Sequence, residues 1–217
     1  MILEGIVSTL NDDGSLNVKP MGPKLDASWP RRFLLRPYRT SVTYRNLEAR
    51  GEGVLHVTDD VLLLTKAILG QLQPEELAVR PAEQVQGRIL LDSCRYYEFR
   101  ITKLDNSQDR AAIWAETVTE GRLRDFFGFN RAKHAVIEAA ILATRVDLLP
   151  LSEIWDEYRR LAVPVEKTGG DAEFQAFALL SRHVHQIARD RGLRTGPPWE
   201  YRDSQGNSGS ESVVRAE

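Results

Sequence analysis

The first 120 residues are dominated by short runs in which β-branched and aromatic side chains alternate with polar ones. This period of two is typical of half-buried β-strands. The chain opens with two such runs, residues 2–9 and 15–21, and the intervening Asn11-Asp12-Asp13-Gly14 is a strong turn signal that predicts a hairpin. Further strands are predicted at residues 54–58, 85–91, 93–103 and 111–118, and residues 40–46 are predicted as a strand or a strand that breaks into a helical turn.

This succession of about six strands with short connections favours a small antiparallel barrel. A parallel sheet would need a crossover helix after each strand. One helix interrupts the series at residues 61–72, after the N-capping pair Asp59-Asp60 and with Gly70 and Pro74 as stop signals.

The pattern becomes helical after about residue 120. Residues 135–144 are alanine-rich and almost uncharged, which predicts a buried helix. Residues 151–161, with Ser152 as N-cap, and residues 171–191 are predicted as amphipathic helices. The prediction is therefore a mainly β fold with α: a barrel domain at residues 1–120, a helical domain at 121–192 and a flexible tail at 193–217.

Composition and charge exclude several classes of protein. The net charge of -2 and the pI near 6.1 argue against a general nucleic-acid binder. A single cysteine, Cys94, excludes an intramolecular disulfide framework and fits a reducing compartment. The N-terminus does not resemble a signal peptide, and no apolar run approaches the length of a membrane span. We expect a cytoplasmic protein with no nucleic-acid or membrane partner.

The strongest candidate site is the stretch of residues 35–46. It holds three arginines, three small hydroxyls and an amide, interleaved with two tyrosines: Arg36, Tyr38, Arg39, Thr40, Ser41, Thr43, Tyr44, Arg45 and Asn46. Guanidinium and hydroxyl groups suit a phosphate dianion because they form charge-assisted hydrogen bonds in a fixed geometry. The alternative is a solvated edge strand whose arginines face water. Within the stretch, Arg36 and Arg45 are the residues most readily explained as ordinary surface.

A second candidate site lies at residues 122–133. Four polar side chains there, Arg124, Asn130, Arg131 and Lys133, surround Phe126, Phe127 and Phe129 at the start of a predicted helix. Cations and aromatic faces at a helix N-terminus suit a planar, anionic ligand. The alternative is that the phenylalanines pack the helical part onto the barrel while the charges face water.

Metal and nucleophile chemistry are not indicated. His183 and His185 are two residues apart on a predicted helix and therefore point to different faces. The glycines at Gly51 and Gly53 do not complete a dinucleotide fingerprint, because His56 occupies the third glycine position. Tyr44, His56 and His134 are the remaining acid–base candidates, and none is assigned a catalytic role.

The chain resembles an uncharacterised family of flavin-reductase-like proteins, whose members have an FMN-binding split β-barrel followed by a small helical domain. The similarity covers roughly residues 1–185 and lies in the segments at residues 1–9, 17–23, 36–46, 51–60 and 124–145. The flavin reductases of this class carry an Asp-Gly turn, an Asn and a Pro in the second strand, and a basic residue followed by Thr-x-x-Asn. The matching positions here are Asp13-Gly14, Asn17, Pro20, Arg39 and Thr43-Tyr44-Arg45-Asn46.

The resemblance implies FMN as cofactor and a homodimer. It implies that the phosphate and ribityl chain are held by Arg39, Thr40, Ser41, Thr43 and Asn46. The backbone near Pro20 and Met21 would face the isoalloxazine ring. Asn17 is a further candidate cofactor contact, and we add Asn130 and Lys133 of the second site. Many reductases have an acidic residue before the threonine, where this chain has Ser41-Val42.

Three functions are consistent with these residues. The first is an FMN-dependent oxidoreductase of flavin-reductase type, which takes reducing equivalents from NADH or NADPH and passes them to an unknown acceptor. The second is a flavin or small-anion binding module without turnover, serving as a carrier or sensor. The third is an interaction protein whose basic stretch docks a phosphorylated partner.

Overall fold

The computed structural model describes residues 1–193 and 195–200, which form two compact units, residues 1–128 and the residues from 129 onward. The first unit contains the strands β1 (Gly5–Leu10), β2 (Leu16–Met21), β3 (Arg32–Leu35), β4 (Glu52–Val57), β5 (Val79–Pro81), β6 (Arg88–Leu90), β7 (Arg95–Asp105) and β8 (Ala112–Arg122), and the helices α1 (Val42–Arg50) and α2 (Val61–Leu69). The second unit contains the helices α3 (Arg131–Ala143), α4 (Leu151–Thr168) and α5 (Asp171–Asp190). The predicted domain limits at residues 120 and 192 stay a prediction.

Six strands form one antiparallel sheet in the order β2-β1-β4-β7-β8-β3. The predicted hairpin at the start of the chain is its β1–β2 pair. Lys24 connects the two edges of the sheet through two antiparallel bridges. One bridge, to Ile2, continues the register of the β1–β2 pair, and the other is to Leu34 of β3. The prediction of an antiparallel, mainly β fold followed by helices is confirmed.

The interior of the sheet is filled by alternate residues of its strands. Val7, Leu55, Phe99 and Ile113 are fully buried members of this cluster, and Tyr44 and Leu47 of α1 belong to it as well. Successive side chains of a strand point to opposite faces. The opposite face of the β1–β2 pair is covered separately, by Leu63 and Leu64 of α2 and by Leu90 of β6.

Of the two alternatives predicted for residues 40–46, the strand is wrong and the helical turn is nearer to the structure, because helix α1 begins at Val42. The Ser41 side chain accepts a hydrogen bond from the Tyr44 amide, and Gly51 ends the helix in the left-handed region at a φ of 70°. These two caps outweigh the β-branched Val42 and Thr43, whose helix propensity is only slightly unfavourable. Helix α2 agrees with its prediction: Asp60 accepts from the amides of its first turn, and Gly70 ends it.

The second unit differs from the prediction mainly in α4. The helix begins at Leu151 with Pro150, not Ser152, at the N-cap position, and it continues through Pro164 to Thr168. Helix α5 agrees with its predicted bounds to within one residue. No helix in the described part of the chain is both long and apolar enough to cross a membrane. Most of the predicted tail, Arg194 and residues 201–217, lies outside the described residues.

Candidate functional site

The arginine loop, residues 36–41, joins β3 to α1 and is held against the segment that precedes β8. The Arg39 amide donates to the Asp109 carbonyl at 3.0 Å, and the Ala111 amide donates to the Pro37 carbonyl at 3.0 Å. The Arg110 guanidinium lies 4.1 Å from the centroid of the Tyr38 ring and donates to the Tyr38 hydroxyl at 2.9 Å. The loop backbone is therefore fixed, while the side chains of Arg39 and Thr40 are exposed.

The start of α1 is a ready anion-binding position. The Ser41 hydroxyl donates to the Tyr38 carbonyl at 2.7 Å and accepts from the Tyr44 amide at 3.1 Å. The first amides of a helix have no acceptor within the helix, and the helix dipole favours negative charge at this end. Arg45 folds back so that its guanidinium donates to the Thr40 carbonyl at 3.3 Å, which adds a second cation beside the loop.

Three of the predicted residues meet in a buried polar cluster, defined by Thr9, Asn17, Thr43 and Asn46. The Asn17 side-chain amide donates to the hydroxyls of Thr9 and Thr43 at 3.0 and 3.1 Å, and the Asn46 amide donates to the Thr9 hydroxyl at 3.0 Å. Each threonine hydroxyl accepts in these contacts and keeps its own hydrogen to donate elsewhere. The polar cluster therefore fixes α1 on the β1–β2 hairpin and leaves the threonine hydroxyls able to donate a hydrogen bond near the start of the helix.

Pro20 and Met21 lie at the end of β2, and both are half-buried. They pair with Ile6 and Gly5 of β1, and the Met21 side chain packs against the interior cluster of the sheet. The structure thus places these two residues on the same hairpin as Asn17.

Arg36, which the sequence explains most readily as ordinary surface, is placed differently by the structure. Its side chain is only half-exposed, and its Nε atom is buried without a hydrogen-bond partner among the described residues. A buried, unpaired N–H group is unfavourable unless a ligand or water accepts from it. Its position as the first residue of the arginine loop was the only sequence signal for a role.

The second candidate site has a different character, because Arg124 and Lys133 contact carboxylates, although Arg131 is exposed. Arg124 contacts the Asp59 carboxylate at 2.5 Å and also donates to the Asp92 carbonyl at 3.0 Å. The other Asp59 oxygen accepts from the Phe127 amide at 2.5 Å. The side chains of all three phenylalanines are more than half exposed: Phe126, Phe127 and Phe129.

Asn130 and Lys133 lie in the second unit, at the start of α3. Asn130 caps the helix by accepting from the Lys133 amide at 3.0 Å, and its side-chain amide donates to the Thr168 carbonyl at 2.9 Å. The Lys133 ammonium contacts the Glu173 carboxylate at 2.7 Å. Both side chains thus have partners within their own unit, and their contact with a cofactor stays a prediction.

Two further titratable side chains, His56 and Cys94, are buried, whereas the acid–base candidate His134 is exposed. His56 is fully buried, its Nε2 accepts from the Leu90 amide at 3.0 Å, and burial lowers its pKa to about 3, so the imidazole is neutral at pH 7. Burial also raises the pKa of the Cys94 thiol. No group of three or more metal-ligating side chains occurs among residues 1–193 and 195–200.

These features define a protein of two units, an antiparallel β unit with exposed cations beside the start of helix α1, and a helical unit. The family model "Protein of unknown function (DUF447) N-terminal domain" matches residues 3–124, and the model "Protein of unknown function (DUF447)" for the C-terminal part matches residues 130–182. The chain therefore belongs to the DUF447 family, and the resemblance read from the sequence is confirmed.

Solved structures show a similar fold. The FMN-bound DUF447 protein MM1853 from Methanosarcina mazei is 23% identical, with a TM-score of 0.72 over 84% of this chain and 94% of that one. The 2-nitrobenzoate 2-nitroreductase NbaA from Pseudomonas fluorescens is 16% identical, with a TM-score of 0.48 over 55% of this chain and 64% of that one. An FMN-binding protein from Thermus thermophilus is 11% identical, with a TM-score of 0.48 over 56% and 70% of the two chains. No curated protein sequence matches the chain.

Proposed function

We propose that this protein is an FMN-binding flavoprotein and an oxidoreductase of flavin-reductase type. The observation that carries the proposal is the helix start at α1, where free amides, the Ser41 cap and the exposed Arg39 and Thr40 meet. This donor set fits a terminal phosphate, because charge-assisted hydrogen bonds and the helix dipole act on the same dianion. The FMN-bound DUF447 protein of similar fold supports FMN as the source of that phosphate.

Each predicted residue has a role in this proposal. The phosphate is held by Arg39, Thr40, Ser41 and the half-buried Arg36, whose enclosed Nε lacks a partner among the described residues. The ribityl hydroxyls face the polar cluster, where Thr43 and Asn46 offer the remaining hydrogen-bonding capacity. The isoalloxazine ring lies near Asn17 and the backbone of Pro20 and Met21, and Asn130 and Lys133 are additional contacts.

Bound FMN supplies the two-electron chemistry, and this chain supplies binding and orientation. NADH or NADPH is the proposed donor, the proposed assembly is a homodimer, and the proposed location is the cytoplasm. The charged side chains beside the helix start, Arg36, Arg39 and Arg45, offer hydrogen-bond donors and no acceptor, which suits the binding of an anion. Their role is therefore electrostatic.

The experiment that tests this proposal is a visible absorption spectrum of the purified protein, followed by calorimetric titration of the flavin-free chain with FMN and riboflavin. We expect FMN to bind at least tenfold more tightly than riboflavin, because only FMN carries the phosphate. Absence of binding by either flavin would refute the flavin assignment. Equal affinities for FMN and riboflavin would support flavin binding but refute the proposed phosphate site.

A carrier or sensor of flavin without turnover is the second candidate. It is favoured by the arginines at the helix start, which offer donors suited to binding an anion, and by the neutral, enclosed state of His56. Stopped-flow mixing of the FMN-loaded protein with NADH and with NADPH separates the two functions. Bleaching of the flavin spectrum within seconds supports the oxidoreductase, and a spectrum that persists for hours with either nucleotide supports the carrier.

A further inference from the structure

A row of four side chains crosses the sheet on the face opposite its interior. Lys24 bridges Leu34, Leu34 pairs with Trp114, and Trp114 pairs with Lys103. Directly paired residues share a face, and the chain neighbours Phe33, Leu35, Ile113 and Ala115 all belong to the interior cluster. The cross-strand row therefore presents an ammonium at each end and an apolar and aromatic pair between them. At the usual strand spacing it spans roughly 14 Å.

A β-bulge in β7 places Lys103 in this row. Ile101 pairs with Ala115 and packs against the interior cluster, whereas Lys103, two residues later, pairs with the outward-facing Trp114. Without the irregularity between Ile101 and Lys103, the lysine would point to the same face as Ile101. Bulges re-aim side chains in this way and are frequent beside binding sites.

The row lines a groove of about 790 Å³, within the size range of small-molecule sites. Its walls are formed by Lys24, Leu25, Asp26, Ser28, Arg32, Phe33, Leu34, Thr102, Lys103, Trp114 and Ala115. Trp114 is 36% exposed, and the Lys103 ammonium lies 4.8 Å from the centroid of its ring. The groove thus offers an aromatic surface with a cation fixed beside it.

The charges of the groove favour an anion. Within the described part of the chain, neither Lys24 nor Lys103 lies within ion-pair distance of a carboxylate, whereas Arg32 contacts Glu116 at 3.6 Å. Asp26 accepts from the amide and the hydroxyl of Ser28 at 2.8 and 2.5 Å, so its carboxylate is engaged within its own turn. The two lysines at the ends of the row therefore remain available to a ligand.

We propose that this groove binds a planar organic anion, an aromatic or conjugated ring system that carries a carboxylate or a comparable group. The ring packs on Trp114 and Leu34, and the anionic group contacts the ammonium of Lys103 or Lys24. No residue of the arginine loop or of α1 lines the groove. The proposal is therefore independent of flavin binding and is testable on the full chain without flavin.

The test is calorimetric titration with 2-naphthoate, together with the neutral 2-naphthamide and the non-aromatic cyclohexanecarboxylate. We expect 2-naphthoate to bind most tightly of the three. Trp114→Leu should weaken its binding about tenfold, and Lys103→Met and Lys24→Met about threefold each, the scale of one aromatic contact and one exposed ion pair. Lys167→Met, at an exposed lysine of α4, is the matched control and should leave the dissociation constant unchanged.

A second measurement covers the case in which Trp114→Leu does not fold. The indole N–H resonance of Trp114 in a ¹⁵N-labelled sample, assigned through Trp114→Phe, should shift with 2-naphthoate, whereas the indole resonances of Trp155 and Trp199 in the second unit should not shift. Absence of saturable binding at millimolar 2-naphthoate would overturn the proposal, as would equal affinity for 2-naphthamide. It would also be overturned by a dimer that Lys103→Glu converts to monomer in sedimentation velocity, because the groove would then be covered by a second copy.

Discussion

The arginine loop before α1 and the segment at residues 122–133 carry similar side chains but use them differently. Arg39 and Thr40 are exposed on a backbone that is fixed by hydrogen bonds, beside a helix start that favours anions. Arg124 and Lys133, in contrast, contact the carboxylates of Asp59 and Glu173. Cations that are close together in a sequence are available to an external anion only where the fold does not pair them with carboxylates of the same chain.

The largest expected effect is a loss of stability on removing Asp59, whose carboxylate contacts the segment at residues 122–133. Asp59→Ala should lower the free energy of unfolding by about 3 kcal/mol, because it removes the buried carboxylate that accepts from the Arg124 guanidinium and from the Phe127 amide. Chemical denaturation followed by circular dichroism measures this change. Asp125→Ala is the control: it breaks the exposed ion pair with Arg122 and should cost less than about 1 kcal/mol. Equal losses in the two variants would mean that the Asp59 contacts are not structural.

The next effect concerns the arginine loop. Arg39→Ala should weaken FMN binding by about 2 kcal/mol, the scale of a lost charge-assisted hydrogen bond, and leave riboflavin binding unchanged. Lys133→Met should weaken FMN binding less, because the Lys133 ammonium already has Glu173 as a partner. Calorimetric titration of both variants with both flavins gives the comparison. A larger loss of FMN affinity for Lys133→Met than for Arg39→Ala would indicate that the phosphate binds at Lys133 and not at the arginine loop.

The parts of the fold that were predicted correctly depend on local signals. The turn at residues 11–14 and the cap at Asp60 lie within a few residues of the elements they define. Helix α1 was also bounded by local caps, Ser41 and Gly51, but the β-branched content between them pointed to a strand. Its caps were therefore the more informative signal.

The contacts of the candidate sites depend on residues far apart in the chain. The polar cluster joins Asn17 to Thr43 and Thr9 to Asn46, which are 26 and 37 residues apart. The groove depends on strand order and on the bulge before Lys103, which moves one side chain to the other face. The resemblance to a family brought the first set together, and no sequence pattern indicated the second.

The N-caps of α1 and α3, Ser41 and Asn130, provide a closely matched test of the comparison with a smaller expected change in stability. Ser41→Ala removes the acceptor of the Tyr44 amide and should lower stability by about 1 kcal/mol. Asn130→Ala should lower it somewhat more, because the Asn130 side chain also donates to the Thr168 carbonyl. Thermal unfolding with and without FMN measures both effects. Saturating FMN should stabilise Ser41→Ala less than the wild type, and an unaltered FMN effect would show that the Ser41 hydroxyl acts only as a cap.

The smallest expected effect is a pH dependence in the second unit. Burial by itself raises the pKa of the Glu173 carboxyl, but hydrogen bonds from Lys133 and the Gly170 amide outweigh it, so the pKa lies below its usual value near 4.5. The unfolded chain therefore takes up a proton before the folded one does. The resulting stability is present above about pH 4.5 and is lost as the pH falls through the folded pKa. Lys133→Met should reduce the difference in unfolding free energy between pH 7 and pH 4, whereas Lys167→Met should not. If both variants retain the wild-type difference, the ion pair with Lys133 does not hold Glu173 ionised.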